Sequence, residues 1–114
     1  MTGVDEIRDA KFADQRAIHD LYSAAFPHEE LRPLIVDLEA ESSGVLSLLS
    51  TNGTGIVGHV MFTTCNLEGS TLKSALLGPL AVAPDAQRQG TGSSLVRDGL
   101  QRMACAGVSI VCVL

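Results

Sequence analysis

A short loop with two glycines is the stretch of the sequence whose residue types and spacing could do chemistry. Residues 81–96 read AVAPDAQRQGTGSSLV, in which apolar strand formers stop at Pro84 and Gly90 and Gly92 open a predicted helix. Glycine lets the backbone approach an anion closely, and the N–H groups of a helix's first turn point towards that anion. The spacing indicates either an anion site or a purely structural turn.

Two phosphate-binding motifs do not fit this loop. A P-loop needs a lysine directly after its second glycine, whereas Gly92 is followed by Ser93 and Ser94. A dinucleotide fingerprint needs a third glycine three residues later, where this chain has Leu95, and no βαβ unit precedes the loop. The pattern that remains is Gln-x-x-Gly-x-Gly over residues 87–92, for which a ligand site and a plain turn are equally open.

The elements around the loop follow from hydrophobic periodicity and turn residues. Predicted strands cover 6–12, 45–50, 55–64, 74–84 and 108–114, and predicted helices cover 14–26, 29–41 and the segment from the loop to Gly107. The three middle strands form an antiparallel meander, and the last two strands run parallel across a helix. This order predicts an α/β (α+β) fold.

Three local features refine this prediction. The carboxylate of Asp14 is expected to cap the first helix, and Asn52-Gly53 is expected to supply the positive φ of a tight hairpin turn. Pro79 lies inside the third strand of the meander, where it cannot donate a ladder hydrogen bond. A β-bulge or an unpaired edge is therefore expected at Pro79.

Composition limits the classes of protein. The 114 residues carry a net charge of −5, with 46% hydrophobic and 18% charged residues, which predicts a single folded domain over residues 1–114 and argues against nucleic-acid or membrane binding. Cys65, Cys105 and Cys112 have no metal-ligand spacing and are predicted to be small buried residues in a reducing compartment, with no metal bound. Without a secretory signal or an apolar run of about 20 residues, a cytoplasmic protein is expected.

The run LGPLAVAPDAQRQGTGSSLV (77–96) resembles the acetyl-CoA-binding core of the GNAT superfamily of N-acetyltransferases. Members carry Gln/Arg-x-x-Gly-x-Gly/Ala after a strand that reads roughly Leu-x-Val-x-Pro. Residues 7–26 are similar to the family's first strand and helix, and GPLAV is similar to a bacterial branch of small acetyltransferases. The resemblance implies the GNAT acyl-CoA N-acyltransferase fold, a mixed, mostly antiparallel sheet flanked by helices.

The resemblance also implies a co-substrate, acetyl-CoA, and a site for it. Backbone groups of one strand segment would pair with the pantetheine arm, and backbone N–H groups of the glycine loop would hold the pyrophosphate. A bulge in that strand opens the slot, which gives Pro79 a reason for its position. The cofactor-binding residues that the resemblance implies are Leu80, Ala81, Val82, Gln87, Arg88, Gln89, Gly90, Thr91, Gly92 and Ser93.

The C-terminal part of the family pattern is where this sequence departs from it. The sequence stops at the fifth strand, so the family's last helix and two strands are expected to be absent from a C-terminally incomplete domain. The family's acid is commonly a tyrosine after that strand, whereas Tyr22 is the only tyrosine here and is predicted to be a half-buried core residue. The open edge of the fifth strand is expected to pair with a second copy or a completing chain.

No catalytic residue is assigned from the sequence. His59 is interpreted as a packed or solvent-facing residue in preference to a base, and His28, Glu29 and Glu30 as a solvated helix start in preference to a substrate loop. The predicted function is transfer of an acetyl group from acetyl-CoA to an amine of a small molecule or peptide. The alternatives are a CoA-binding domain without turnover and a structural domain that binds nothing.

Overall fold

A computed structural model describes residues 6–40, 44–53, 55–66, 69 and 71–113. The elements within these ranges are β1 (Glu6–Asp9), α1 (Gln15–Ala25), α2 (Arg32–Glu39), β2 (Val45–Asn52), β3 (Gly55–Asn66), β4 (Lys73–Val82), α3 (Thr91–Cys105) and β5 (Val108–Val113). Short 3-10 turns cover Phe12–Asp14 and Pro84–Ala86. Some predicted features lie outside the described residues. They are the end of the second helix at Glu41, the end of the last strand at Leu114, the helix-ending residues 42–43 and part of the turn at 66–71.

The strands form one sheet in the order β1-β2-β3-β4-β5. Neighbours are antiparallel from β1 to β4, and β4 pairs with β5 in parallel. Both the predicted meander and the parallel pair across α3 are therefore confirmed. Helix α3 ends next to Gly107, whose φ of 88° gives the left-handed termination that was predicted there.

A β-bulge in β4 changes which face each of its side chains occupies. Val60 pairs with Leu80 and Phe62 with Leu77, so that two residues of β4, Gly78 and Pro79, lie opposite one residue of β3. Because side chains alternate along a strand, the extra residue reverses the alternation. The bulge expected at Pro79 is confirmed.

The two faces of the sheet bury separate apolar clusters. One cluster lies under α1 and α2 and contains Ile18, Leu21, Tyr22, Ile35, Leu49, Met61 and Ala81. The other lies under α3 and contains Leu48, Val60, Phe62, Ala75, Leu77, Leu95 and Met103. The α3 cluster places the start of that helix beside the end of β4.

Two glycines allow α3 to approach the sheet closely. A Cβ at Gly58 would lie 2.8 Å from Leu95 Cδ1 and 2.9 Å from Thr91 Cγ2, and a Cβ at Gly99 would overlap the Phe62 ring. Side chains at either position would push the helix away from β3. An ion pair between Arg102 Nη1 and Asp9 Oδ1, at 2.6 Å, joins the same helix to β1.

The predicted cap at Asp14 is wrong. Its carboxylate accepts two hydrogen bonds from the Arg8 guanidinium, at 2.8 and 2.9 Å, and one from the Lys11 backbone N–H at 2.7 Å, and it makes no cap hydrogen bond to α1. The paired guanidinium is the stronger partner because the hydrogen bonds are charge-assisted. The Arg8 hydrogen bonds lower the pKa of Asp14 to about 2.

The predicted hairpin joins β2 to β3, but the predicted position of its positive φ is wrong. Asn52 pairs with Gly55, so the turn begins one residue later than expected. Within the described residues the positive φ of this hairpin belongs to Gly55, at 140°, and to neither Asn52 nor Gly53.

The boundaries of two other elements also differ from the prediction. The first strand ends at Asp9, where the chain turns towards Phe12–Asp14. Helix α2 begins at Arg32 instead of Glu29, because Pro33 favours the first turn of a helix.

The prediction that all three cysteines are buried is also wrong. Cys65 is half-buried, whereas Cys105 and Cys112 are exposed. Cys105 ends α3 on its outer side, and Cys112 lies on β5, whose described residues are at most half-buried. A small apolar side chain indicates burial only where a second layer covers its strand or helix.

Candidate functional site

The loop between β4 and α3 is held by its own side chains. After the 3-10 turn, Gln87 Nε2 donates a hydrogen bond to the Val82 carbonyl oxygen at 3.1 Å, and Gln89 Nε2 donates to the Asp85 carbonyl oxygen at 3.4 Å. Gln87 therefore holds the loop to the end of β4, and Gln89 holds it to the 3-10 turn. Both side-chain amides are used within the loop itself.

Two left-handed residues shape the loop backbone. Gly90 has φ 84° and ψ 4° and is the N-cap of α3, and Arg88 has φ 67° although it carries a side chain. A non-glycine residue in this region costs about 1–3 kcal/mol and is found where the surrounding structure requires it, often at ligand sites. The backbone path of the loop is thus imposed at residues 88 and 90.

The first turn of α3 offers backbone donors beside this loop. The Gly90 carbonyl accepts the Ser94 N–H at 3.0 Å, and no side chain caps the helix start. The N–H groups of Gly92 and Ser93 precede the first residue that can reach an acceptor within the helix. Gly92 also has room for a side chain, since a Cβ there would lie 3.5 Å from Val82 Cγ2, an ordinary contact.

The end of β4 lies beside that helix start and pairs on one side only. Leu80, Ala81 and Val82 pair with β3, whereas the described β5 pairs only with residues 73–77 of β4. The backbone edge of residues 80–82 that does not pair with β3 therefore faces the space between β4 and β5. An open groove of about 600 Å³ adjoins it and is lined by Leu80, Gly92, Ser93, Val96, Arg97 and Leu100.

The structure thus brings together the three parts of the expected cofactor site: the β4 segment, the loop and the helix start. Not every side chain among them is accessible. Ala81 is buried under α1, and Thr91 is buried against the sheet next to Gly58. These two residues can offer only backbone groups to a ligand.

A second cavity, of about 250 Å³, lies between the end of α1 and the start of α2. Its lining includes the carboxylates of Asp20, Glu29 and Glu30 together with Tyr22 and Phe26. The Tyr22 and Phe26 rings stack with centroids 6.3 Å apart. His28 is exposed, so of the loop residues named from the sequence only the two glutamates line the cavity.

A buried hydrogen-bonded network lies beneath this cavity. Tyr22 Oη is 2.8 Å from His59 Nδ1, and Ser47 Oγ is 2.7 Å from His59 Nε2. His59 and Tyr22 are 1% and 3% exposed, and Ser47 is half-buried. Burial raises the pKa of Tyr22 and lowers that of His59 to about 4, with a smaller lowering from the charge of His19.

Sequence reasoning found two members of this network and missed the third. His59 is packed, as was favoured, and Tyr22 is a core residue that is more deeply buried than expected. No motif or spacing in the sequence marks Ser47 as a partner of His59. Its partner is 12 residues away on another strand, and Tyr22 is 37 residues from His59, so only the folded register joins them.

The described residues contain no group of three or more His, Cys, Asp or Glu side chains placed to hold a metal ion. No helix within the same ranges is both long and apolar enough to cross a bilayer.

Comparison with known proteins identifies the family. Residues 15–114 match the family model described as acetyltransferase (GNAT) family. The chain belongs to the GNAT family. It is 31% identical over 106 residues to the uncharacterized N-acetyltransferase YjhQ of Escherichia coli (strain K12), covering 90% of this chain and 59% of that protein. It is 28% identical over 102 residues to the uncharacterized N-acetyltransferase YhbS of the same organism, covering 89% and 61%. The chain spans about three fifths of the length of these relatives.

Solved structures confirm the GNAT fold. A GNAT family acetyltransferase from Brucella melitensis in complex with acetyl-CoA has a TM-score of 0.85 at 29% identity, covering 97% of this chain and 75% of that one. YhbS from Escherichia coli in complex with CoA has a TM-score of 0.86 at 28% identity, covering 96% and 62%. The fold and superfamily expected from the sequence are both confirmed, and the chain is thereby placed in a family of acyltransferase enzymes.

Proposed function

We propose that this GNAT chain binds acetyl-CoA in the groove beside β4 and transfers its acetyl group to an amine of a small molecule or peptide. The observation that carries the proposal is that residues 80–82 of β4 pair with β3 on one side and not with the described β5 on the other, next to the start of α3. An extended amide chain can hydrogen-bond along such an edge as a further strand does. Bound acetyl-CoA in the Brucella melitensis relative and CoA in YhbS support the assignment.

The residues of the groove fit such a ligand. Pyrophosphate would be held by the backbone N–H groups from Arg88 through Ser93, where the positive end of the α3 dipole and the exposed Arg88 side chain favour an anion. The pantetheine arm would then lie along β4 from Val82 towards Leu80. The protein's own packing does not require glycine at position 92, and a side chain no larger than a methyl group there lets the phosphates approach the helix backbone.

The proposed reaction is direct attack of the amine nitrogen on the thioester carbonyl carbon. A C–N bond forms, the C–S bond breaks, and the thiolate leaves and takes up a proton. A backbone N–H near the β4 bulge would polarise the carbonyl oxygen. An alkylamine with a pKa near ~10.4 is protonated at neutral pH, so it must lose a proton before it attacks.

A second candidate function is CoA binding without turnover. The sequence has one tyrosine, and Tyr22 is a buried residue of α1, the first helix, whereas the family's acid is commonly a tyrosine after the fifth strand. A domain that lacks an acid for the leaving thiolate would bind the ligand and release no thiol. A turnover assay therefore separates the two candidates, whereas a binding assay does not.

The first experiment is calorimetric titration of the full chain with acetyl-CoA. We expect wild type and Gly92→Ala to bind, since a methyl group fits beside Val82, and Gly92→Glu to lose at least tenfold in affinity. Gly92→Gln is the matched control, because it has the size of the Glu variant without the negative charge that repels pyrophosphate. Absence of wild-type binding at millimolar acetyl-CoA would overturn both CoA proposals in favour of a structural domain.

The second experiment measures thiol release from acetyl-CoA with a panel of primary alkylamines, aminoglycosides and peptides. Release that depends on both the amine and an intact Gly92 supports transfer, and binding without release supports the second candidate. Two further parts of the proposal are a cytoplasmic location and pairing of β5 with a second copy or another chain. Sedimentation of the purified chain tests the pairing.

A further inference from the structure

We propose that Tyr22, His59 and Ser47 form a proton relay that accepts the proton of the acceptor amine and passes it to solvent. This inference rests on the proposed acetyl transfer and assigns to these residues the deprotonation step that the groove residues do not perform. The three side chains come from α1, β3 and β2 and are joined by the hydrogen bonds of 2.8 and 2.7 Å.

The position of the network links the two sites. In the β3–β4 register His59 lies directly opposite Ala81, within the segment proposed to hold the pantetheine arm. Tyr22 lines the 250 Å³ cavity, whose titratable and charged lining also includes Asp20, Glu29, Glu30, His19 and Arg32. An amine in that cavity would therefore lie next to the Tyr22 end of the network and on the Ala81 side of the sheet.

The other end of the network reaches towards water. Ser47 is half-buried on β2, next to β1, whereas Tyr22 and His59 are almost fully enclosed. A proton that enters at Tyr22 can thus leave at Ser47 along hydrogen-bonded side chains. The cavity wall carries three carboxylates and one guanidinium, that of Arg32, so its net negative charge favours a cationic amine over a neutral one.

Burial keeps Tyr22 protonated and His59 neutral at pH 7, so one ring nitrogen of His59 donates a hydrogen bond and the other accepts one. The relay uses the tautomer in which the Tyr22 hydroxyl donates to His59 Nδ1 and His59 Nε2–H donates to Ser47 Oγ. When Tyr22 Oη takes the amine proton, its own proton moves to Nδ1, the Nε2 proton moves to Ser47, and the Ser47 proton moves to water. The amine keeps its electron pair, and no charge remains in the core.

The test uses the full chain and the panel amine that wild type acetylates fastest. Tyr22→Phe removes one hydroxyl, and we expect kcat at pH 7 to fall at least tenfold while the KM for acetyl-CoA changes less than twofold. Ser47→Ala acts at the half-buried end and is expected to lower kcat about threefold. Ser74→Ala, which removes a buried hydroxyl outside the network, is the matched control and is expected to keep the wild-type rate.

The pH dependence distinguishes a relay from a structural network. As pH rises from 7 to 9.5, more of the amine arrives already deprotonated, so the deficit of Tyr22→Phe relative to wild type should shrink at least threefold. A deficit that stays constant with pH, or unchanged kcat in both Tyr22→Phe and Ser47→Ala, overturns the relay and leaves the proposed transfer intact. A wild-type chain that binds acetyl-CoA and acetylates no panel amine overturns the transfer itself.

Discussion

Helix α3 packs on its face of the sheet through apolar side chains and glycines, whereas α1 covers the opposite face together with buried polar side chains. Leu95 and Met103 of α3 meet Val60 and Phe62 of β3 in a wholly apolar cluster. On the other face, alternate residues of the same strand are Met61 and His59, and the latter is bonded to Tyr22 in the middle of the α1 cluster.

The two faces differ because one positions a helix start and the other positions side chains around a cavity. The α3 face has to fix the start of a helix beside the end of β4, and close packing through Gly58 and Gly99 does so, with the Thr91 methyl group against Gly58. The α1 face has to bring side chains to a cavity, and it keeps a satisfied polar network at the cost of desolvation. The α3 face thus positions the helix start proposed to hold the pyrophosphate, and the α1 face positions the cavity proposed to hold the amine.

The largest expected effect concerns the polar face and acid. The pKa of His59 is lowered by burial from 6.5 to about 4, so between these values the unfolded chain binds more protons than the folded one. The contribution of neutral His59 to the free energy of unfolding is therefore fully present above about pH 6.5. It is lost, by about 3 kcal/mol, as the pH drops to about 4. Chemical denaturation at several pH values measures this slope.

His59→Gln should remove most of that slope, because the substitute keeps a polar side chain and does not titrate. His28→Gln, at an exposed histidine, is the matched control and should keep it. Asp14 acts in a separate window, since its lowered pKa withdraws stability only between about pH 3.8 and 2. An unchanged slope between pH 6.5 and 4 in His59→Gln would show that His59 is not a neutral buried residue.

The next effect concerns the apolar face. Gly99→Ala should destabilise the chain by about 2 kcal/mol, because the new Cβ overlaps the fully buried Phe62 ring and this outweighs the better helix propensity of alanine. Gly92→Ala is the same substitution in the same helix and should leave the free energy of unfolding unchanged or slightly higher. Equal effects of the two substitutions would contradict the close packing inferred for α3.

A second variant sharpens the comparison. Phe62→Leu makes room for the methyl group, so Gly99→Ala should cost less in a Phe62→Leu background than in wild type. The difference between the two costs is a coupling energy of about 1 kcal/mol. Acetyl-CoA affinity should fall in Gly99→Ala and recover in the double variant, since the displaced helix carries the pyrophosphate donors.

The sequence predicted the parts of this structure that depend on local rules. The antiparallel meander, the parallel pair across α3 and the glycine that ends α3 follow from periodicity and short turns. Pro79 marked the bulge because proline lacks the N–H that a paired strand needs. These features require no knowledge of which distant residues meet.

The parts that the sequence missed depend on register and layer. The hairpin turn is displaced by one residue because the pairing of Asn52 with Gly55 decides where it lies. Cys112 is exposed because burial depends on what covers β5, and Ser47 joins His59 only once β2 and β3 are in register. Arg88, whose left-handed φ is usual for glycine, was named as a site residue without any sign of that conformation.

The smallest effect separates satisfied from unsatisfied polar groups on the polar face. Ser74 is 1% exposed, and its Oγ has no hydrogen-bond partner among the described residues. Ser74→Ala removes a hydroxyl that is desolvated without compensation, so the free energy of unfolding should stay the same or rise by about 0.5 kcal/mol. Ser47→Ala is the comparison, because it breaks a hydrogen bond of 2.7 Å and should lower that free energy by about 1 kcal/mol. Thermal unfolding of both variants at pH 7 measures the difference. A loss on Ser74→Ala as large as that on Ser47→Ala would mean that Ser74 is also hydrogen-bonded.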